Sequence, residues 1–336
     1  AGIAGVHELQ SGRFEVSGRA LTLTGTALTP AEGEAARAAV AAELPEGYTS
    51  TLDLTYVDDG SPPRYAVHYT VQSGPWVEGK LPRGVAAGDI ATALGLADID
   101  ASATQALTGE PGQASPVLAR LAPWLPEVET LDVTVAPDGT RVDAGFGAGA
   151  DLDLLGGALA QSLDGAMDGV TLSLHPVPAE GETGAERFNA LSGRTEVLAG
   201  GYWLPAADFT PDPQSCATET TRVLGANRIG FVTGSSRLDA HARSAVNALA
   251  GVLGPCLGAA GLRAEIGGHT DSTGSNEANL ALSLARAQSV REALVARGVP
   301  AARLTAEGYG AAEPIADNGT DEGRAANRRT AVRWIE

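Results

Sequence analysis

Long apolar runs are missing from this sequence: no stretch reaches the roughly 18 residues that a membrane-spanning helix needs. Aromatic residues are scarce, at 4%, and Ala-rich helical stretches interrupt the strand-like segments. Both features argue against a transmembrane β-barrel, whose alternating strands of about ten residues end in aromatic girdles. Positive charge is also short, with 23 Lys and Arg against 41 Asp and Glu and a net charge of −18. The deficit is confined to the front. Residues 1–215 carry 10 basic and 29 acidic side chains, whereas Cys216 onward carries 13 Arg, no Lys and 12 acids. An acidic front repels nucleic acid and anionic lipid headgroups, so no nucleic-acid partner is expected.

Catalytic and metal-binding patterns are missing too. The five histidines, at 7, 68, 175, 241 and 269, show neither HxxxH nor HExxH spacing, and the two cysteines make no metal knuckle. The glycines at 145, 147 and 149 lack the GK[ST] ending of a phosphate loop and do not complete GxGxxG at the right place. Ser235 and Ser236 have no GxSxG context. His269 is read as a structural residue at a strand end. No cofactor, metal or enzymatic activity is expected. The chain opens at Ala1 without a basic n-region or apolar h-region, as expected once a secretory signal is gone, and its first residue is not the Cys of a lipid anchor.

What is present suffices for two or three domains in 336 residues, and 43% hydrophobic against 19% charged residues is a globular composition. The front half repeats itself. Leu44-Pro45-Glu46 leads to Thr51-Leu52-Asp53-Leu54-Thr55 and Asp59-Gly60; Leu125-Pro126-Glu127 leads to Thr130-Leu131-Asp132-Val133-Thr134 and Asp138-Gly139. Alternation marks both as half-buried strands, and each Asp-Gly signals a hairpin turn. Each copy begins with a strand ending in Gly (Leu21–Gly25, Trp76–Gly79) and passes to a helix (Ala31–Leu44, Val85–Leu96). The second copy holds an insertion at 97–115, and a shorter third unit has a helix at 152–163. The predicted units are 15–73, 74–139 and a partial 140–176, followed by a linker, 177–215, whose apolar patch Gly200-Gly201-Tyr202-Trp203-Leu204 docks on a domain or receives a partner. Strand-Gly-helix-strand modules of this length resemble tandem BON domains, a likeness that implies envelope-protein or lipid contact through residues 1–200.

The remaining unit, 216–336, reads as strand (228–233), helix (239–253), strand (262–268), helix (276–297) and strands at 304–308 and 330–335, an α+β sandwich of order βαβαββ. Asp271 lies in the loop before the second helix. Asn279, Ser283 and Arg286 stand at i, i+4 and i+7 on that helix and face back toward the loop. A fixed anion beside a fixed cation holds a zwitterion: Asp accepts from an ammonium, and Arg offers a planar fork to a carboxylate. Taken singly, Asp271 is equally a helix cap and Arg286 a solvated surface residue.

Gly268-His269-Thr270-Asp271, Asn279-x-x-Leu282-Ser283-x-x-Arg286-Ala287, Gly308-Tyr309-Gly310, Glu313-Pro314 and Arg324-x-x-Asn327-Arg328-Arg329, in that order, resemble the OmpA-like peptidoglycan-binding family. The resemblance implies that Asp271 takes the ammonium and Arg286 the carboxylate of diaminopimelate in the cell-wall peptide. Thr270 and Asn279 are expected to add hydrogen bonds, with Arg329 at the pocket edge. Where the family carries polar residues after its first strand, this chain has Phe231-Val232-Thr233-Gly234-Ser235-Ser236, which puts affinity in doubt more than ligand class. A wall-binding domain places the chain outside the cytoplasm, where Cys216 and Cys256 are expected to form a disulfide rather than two buried thiols. The expectation is a non-catalytic periplasmic protein, associated with the cell wall or outer membrane, that links peptidoglycan to another envelope component. The alternative is an envelope scaffold or sensor whose C-terminal domain serves protein contact or dimerisation.

Overall fold

Thr29 and Pro30 start the first long helix as physical chemistry predicts: the Thr29 side chain caps the Glu32 N–H at 3.4 Å and proline takes the first turn, where its missing N–H costs nothing. In the computed structural model, which describes residues 1–110, 112–164 and 169–335, that helix belongs to a small N-terminal unit. The unit comprises α1 (Gly2–His7), β1 (Ser11–Ser17), β2 (Ala20–Ala27), α2 (Pro30–Glu43) and β3 (Thr49–Tyr56). β1 and β2 form a hairpin, and α2 carries the chain over to β3, parallel to β2. Its core is little more than Leu21, Leu23 and Val40.

The second unit is a larger sheet. Its elements are β4 (Arg64–Thr70), β5 (Gly74–Leu81), α3 (Ala87–Ala93), β6 (Asp100–Ala101), β7 (Thr104–Gln105), α4 (Pro116–Leu121), a 3-10 turn (Ala122–Glu127), β8 (Thr130–Ala136), β9 (Gly139–Phe146), α5 (Leu152–Ser162) and β10 (Val170–Pro176). Strand order is β10-β9-β8-β4-β5-β6, with β7 also on β5. The Asp138-Gly139 turn joins β8 to β9 as the sequence suggests. Asp59-Gly60 does not make a hairpin, because β3 and β4 lie in different sheets. Asp58 is instead buried, at 2% exposure, and its carboxylate gathers Lys80 and the Gly60 and Leu107 N–H groups. The seam drawn at 73/74 falls inside the β4–β5 hairpin. Pro111 in the expected insertion and residues 165–168 in the expected third unit lie outside the described residues.

Residues 177–215, read from sequence as a linker, hold a three-stranded antiparallel meander of β11 (Glu186–Asn189), β12 (Arg194–Ala199) and β13 (Tyr202–Pro205). Its last strand docks on the C-terminal domain, where Leu204 joins the core. That domain follows as α6 (Pro213–Ala226), α7 (Ala242–Gly258), β14 (Arg263–His269), α8 (Asn276–Ala296), β15 (Leu304–Gly310), α9 (Asp321–Asn327) and β16 (Thr330–Ile335). Cys216 on α6 and Cys256 on α7 are disulfide-bonded across 40 residues. A loop of that length contributes about 4 kcal/mol in the chain-entropy model.

The strand expected at 228–233 is replaced by a loop. Val232 N–H bonds to the Arg237 carbonyl and Asp239 N–H to the Gly230 carbonyl, so this segment satisfies its backbone on itself, and Phe231 and Leu238 form a single bridge. The sheet therefore has the order β15-β14-β16, with α7 and α8 packed beside it. Two glycines let α8 lie directly on the strands. A Cβ at Gly268 would stand 2.1 Å from the Ser283 carbonyl oxygen, and one at Gly308 2.4 Å from the Leu284 nitrogen.

Candidate functional site

β14 delivers the site loop between its two neighbours. The His269 N–H bonds to the Arg329 carbonyl at 3.0 Å and the Thr270 N–H to the Gly310 carbonyl at 2.9 Å, so Asp271 emerges from a backbone fixed on both sides. Asp271 is 8% exposed. Its Oδ1 accepts from the Thr273 N–H at 2.9 Å, and its Oδ2 accepts from Arg328 Nη1 at 2.6 Å. Burial pushes this carboxyl up, but the Arg328 and Thr273 bonds outweigh burial and hold it below the usual carboxylate range.

On α8 the three facing residues divide the work. Asn279 Nδ2 donates to the Asp271 carbonyl at 3.3 Å and to the Thr273 carbonyl at 3.0 Å, pinning the loop to the helix. Ser283 is fully buried; its hydroxyl donates to the Leu280 carbonyl and accepts from the Gly310 N–H, both at 2.9 Å, which ties the helix to β15. Arg286 is the residue with charge to offer. Its Nε donates to the Ser235 carbonyl at 3.0 Å and its guanidinium lies 4.9 Å above the Phe231 ring. No carboxylate stands within 4 Å of it among the described residues. Burial lowers its pKa, Arg328 lowers it further and Asp271 works the other way. The three charges therefore share one field.

Thr270 is buried, and its hydroxyl has no partner among the described residues. Arg329 does not border the Asp271 carboxylate. Its Nη1 donates to the Glu313 carbonyl at 3.1 Å, while its neighbour Arg328 takes the position beside Asp271. Both arginines lie between α9 and β16, and their guanidiniums take different partners. The loop that follows β15 is held by the fully buried Asn327, whose Oδ1 accepts from the Ile315 and Ala316 N–H groups at 2.8 and 3.0 Å. Asn327 also donates to Asn318, which accepts from the Ser272 N–H, so this loop borders the site.

The segment 231–238 contributes its backbone to Arg286. Gly234 has φ +70°, a left-handed turn position that suits glycine, and the turn presents the Ser235 carbonyl to Arg286. Arg328 was within reach of a period-two reading of Asn327-Arg328-Arg329. The Ser235 carbonyl had no signal in residue identity. His269 lies outside the cluster, stacked on Tyr309 at 5.1 Å with neither ring nitrogen bonded among the described residues.

Residues 230–328 match the OmpA family. Outer membrane protein Omp38 of Acinetobacter baumannii is 39% identical over 154 residues, covering 42% of this chain and 41% of that protein. Peptidoglycan-binding protein ArfA of Mycobacterium bovis is 49% identical over 70 residues, 21% of this chain and 22% of that protein. The chain thus spans well under half the length of the relatives it matches. Among solved structures, the peptidoglycan-associated lipoprotein of Burkholderia pseudomallei is 28% identical, with a TM-score of 0.30 and coverage of 34% of this chain and 93% of that one. No helix among the described residues is long and apolar enough to cross a membrane. The chain carries an OmpA-family domain at residues 230–328.

Proposed function

We propose that this protein is a non-catalytic cell-envelope protein that binds peptidoglycan through its OmpA-family domain. Asp271 receives the ammonium and Arg286 the carboxylate of the diaminopimelate in the stem peptide. The observation that carries this reading is the pairing of a buried, ionised Asp271 with an Arg286 that has no carboxylate of its own within 4 Å among the described residues. An anionic group from outside supplies what Arg286 lacks, and the same ligand's ammonium meets Asp271. The names of the related proteins, an outer membrane protein and a peptidoglycan-binding protein, agree with that ligand and with a periplasmic location, as does the disulfide. The acidic front units connect the wall to another envelope component.

Pull-down on purified sacculi tests the site. Asp271→Ala and Arg286→Ala each abolish binding while leaving the melting temperature nearly unchanged. If both variants bind normally, the assignment fails, and a domain used for protein contact or dimerisation takes its place.

A further inference from the structure

A second charged site lies away from the Asp271 cluster, in a cleft of about 410 Å³ between the second sheet and α7 and α8. Gly149, Ala150 and Asp151, at the end of the glycine cluster, form one wall. β9 runs into Gly147-Ala148-Gly149-Ala150-Asp151, the loop opens α5, and α5 returns to β10, parallel to β9. This is a strand-loop-helix-strand unit whose loop end and first helical turn line the cleft, with Asp151 capping that turn.

Arg297, at the end of α8, faces this loop and is 5% exposed. Its Nε donates to Asn247 Oδ1 at 2.6 Å, its Nη1 donates to the Ala293 carbonyl at 2.8 Å, and its guanidinium lies 4.3 Å above the Tyr202 ring. All of these partners are uncharged, and no carboxylate lies within 4 Å of Arg297 among the described residues. Its Nη2 lies against the loop, 3.5 Å from where a Cβ on Gly149 would stand. Burial draws its pKa down to about 10, with Tyr202 acting the other way and a second cation, Arg243, adding to the fall; the buried Arg243 Nε makes no hydrogen bond among the described residues.

Four of the other six charges at the cleft are paired. Arg237 pairs with Asp151, and Arg243 with Glu127 and Glu129. Asp239 accepts from the His241 N–H, and Glu292 stands on the exposed lip. A buried guanidinium without a counter-ion is costly, and a cavity at its side admits one. Phe146 and Leu155 line the apolar remainder of the space.

We propose that this cleft binds a small organic oxyanion, its carboxylate or phosphate held by Arg297 against the Gly147–Asp151 loop and its apolar body against Phe146 and Leu155. Asp271, Arg286 and Arg328 do not line this cleft. Titration calorimetry on the full chain uses two probes, inorganic phosphate and octanoate. Saturable heat is expected from at least one of them below about 10 mM, and which one responds identifies the headgroup. Arg297→Met weakens that binding by about tenfold or more, whereas Asp271→Ala and Arg286→Ala change it by no more than a few-fold. If Arg297→Met does not fold, Arg297→Lys carries the test, with binding several-fold weaker. The proposal is overturned if neither probe gives saturable heat, or if the Arg297 variant that folds binds as tightly as the parent.

Discussion

Arg328 donates to Asp271 at 2.6 Å, so the anion of the candidate site already has a cation beside it, and that cation is not Arg286. The cluster of Asp271, Arg286 and Arg328 carries a net charge of +1, whereas the ligand proposed for it is a zwitterion whose ammonium competes with Arg328 for the same carboxylate. Removing Arg328 leaves one anion and one cation, matched to a zwitterion. Arg328→Gln is therefore expected to tighten binding of a diaminopimelate-containing peptide by a few-fold, about the scale of a half-exposed ion pair. Calorimetry on the variant checks the sign. Weaker binding would instead make Arg328 a second contact for the ligand's carboxylate.

The helix that carries Arg286 rests on strands cleared by glycine, and that close approach sets a stability prediction. A methyl group at Gly308 meets backbone, the Leu284 nitrogen at 2.4 Å, and one at Gly268 meets the Ser283 carbonyl at 2.1 Å. Neither neighbour is a side-chain tip that can swing away. Gly308→Ala or Gly268→Ala is expected to cost about 1–3 kcal/mol or more by overpacking, read from the midpoint of urea denaturation. Gly298, which has a positive φ but open space at its Cβ position, should lose less on the same substitution.

Those two glycines also mark what the sequence made legible and what it hid. The helix face of Asn279, Ser283 and Arg286 and the strands expected at 262–268 and 330–335 were readable because periodicity and caps are local signals, whereas the cysteine pairing followed from the compartment that the family resemblance implies. The meander at 186–205 was not: its strands are four to six residues long, and Gly200 and Gly201, both at positive φ, looked like linker punctuation. The loop at 231–238 was misread for the opposite reason. In the strand expected at 228–233, Ile229 and Phe231 alternate like a strand, yet the backbone bonds to residues 237–239 rather than to β14. Arg328 and Arg329 carry the same side chain one residue apart, so only the entry of β16 decided which of them meets Asp271.

His269 gives the fold a pH dependence of defined sign. Burial, reinforced by Arg329 and Arg333 and opposed by Glu313, draws its pKa down from 6.5 to about 4. Between these values the imidazole is neutral in the folded chain and protonated in the unfolded one, so unfolding takes up a proton. The stability it contributes is complete above 6.5 and is lost as the pH falls toward 4, by roughly 3 kcal/mol across the window. His269→Phe keeps the stack on Tyr309 and removes the titration. Its urea midpoint should vary less between pH 7 and pH 4 than that of the parent chain, and an unchanged slope would remove His269 as the source.

Arg286 is held from behind by a loop that the front of the molecule also grips. Arg286 Nε bonds to the Ser235 carbonyl, the Arg237 N–H bonds to Ser235 Oγ at 3.0 Å, and the Arg237 guanidinium pairs with Asp151, the cap of α5. Asp151 thus acts on the peptide site without touching its ligand, as a positioning residue. The Asp151–Arg237 pair is half exposed, 43% for Asp151 and 53% for Arg237, so its share is small, about 0.2–1 kcal/mol. Asp151→Asn is expected to weaken peptide binding by two- to five-fold with little change in melting temperature, and Asp151→Glu to restore most of it. Because coupling is reciprocal, peptide bound at Arg286 should slow amide exchange at the start of α5 in the parent chain but not in Asp151→Asn. Equal protection in both would mean that the loop is rigid without its grip on the front body, and that the two parts bind their partners independently.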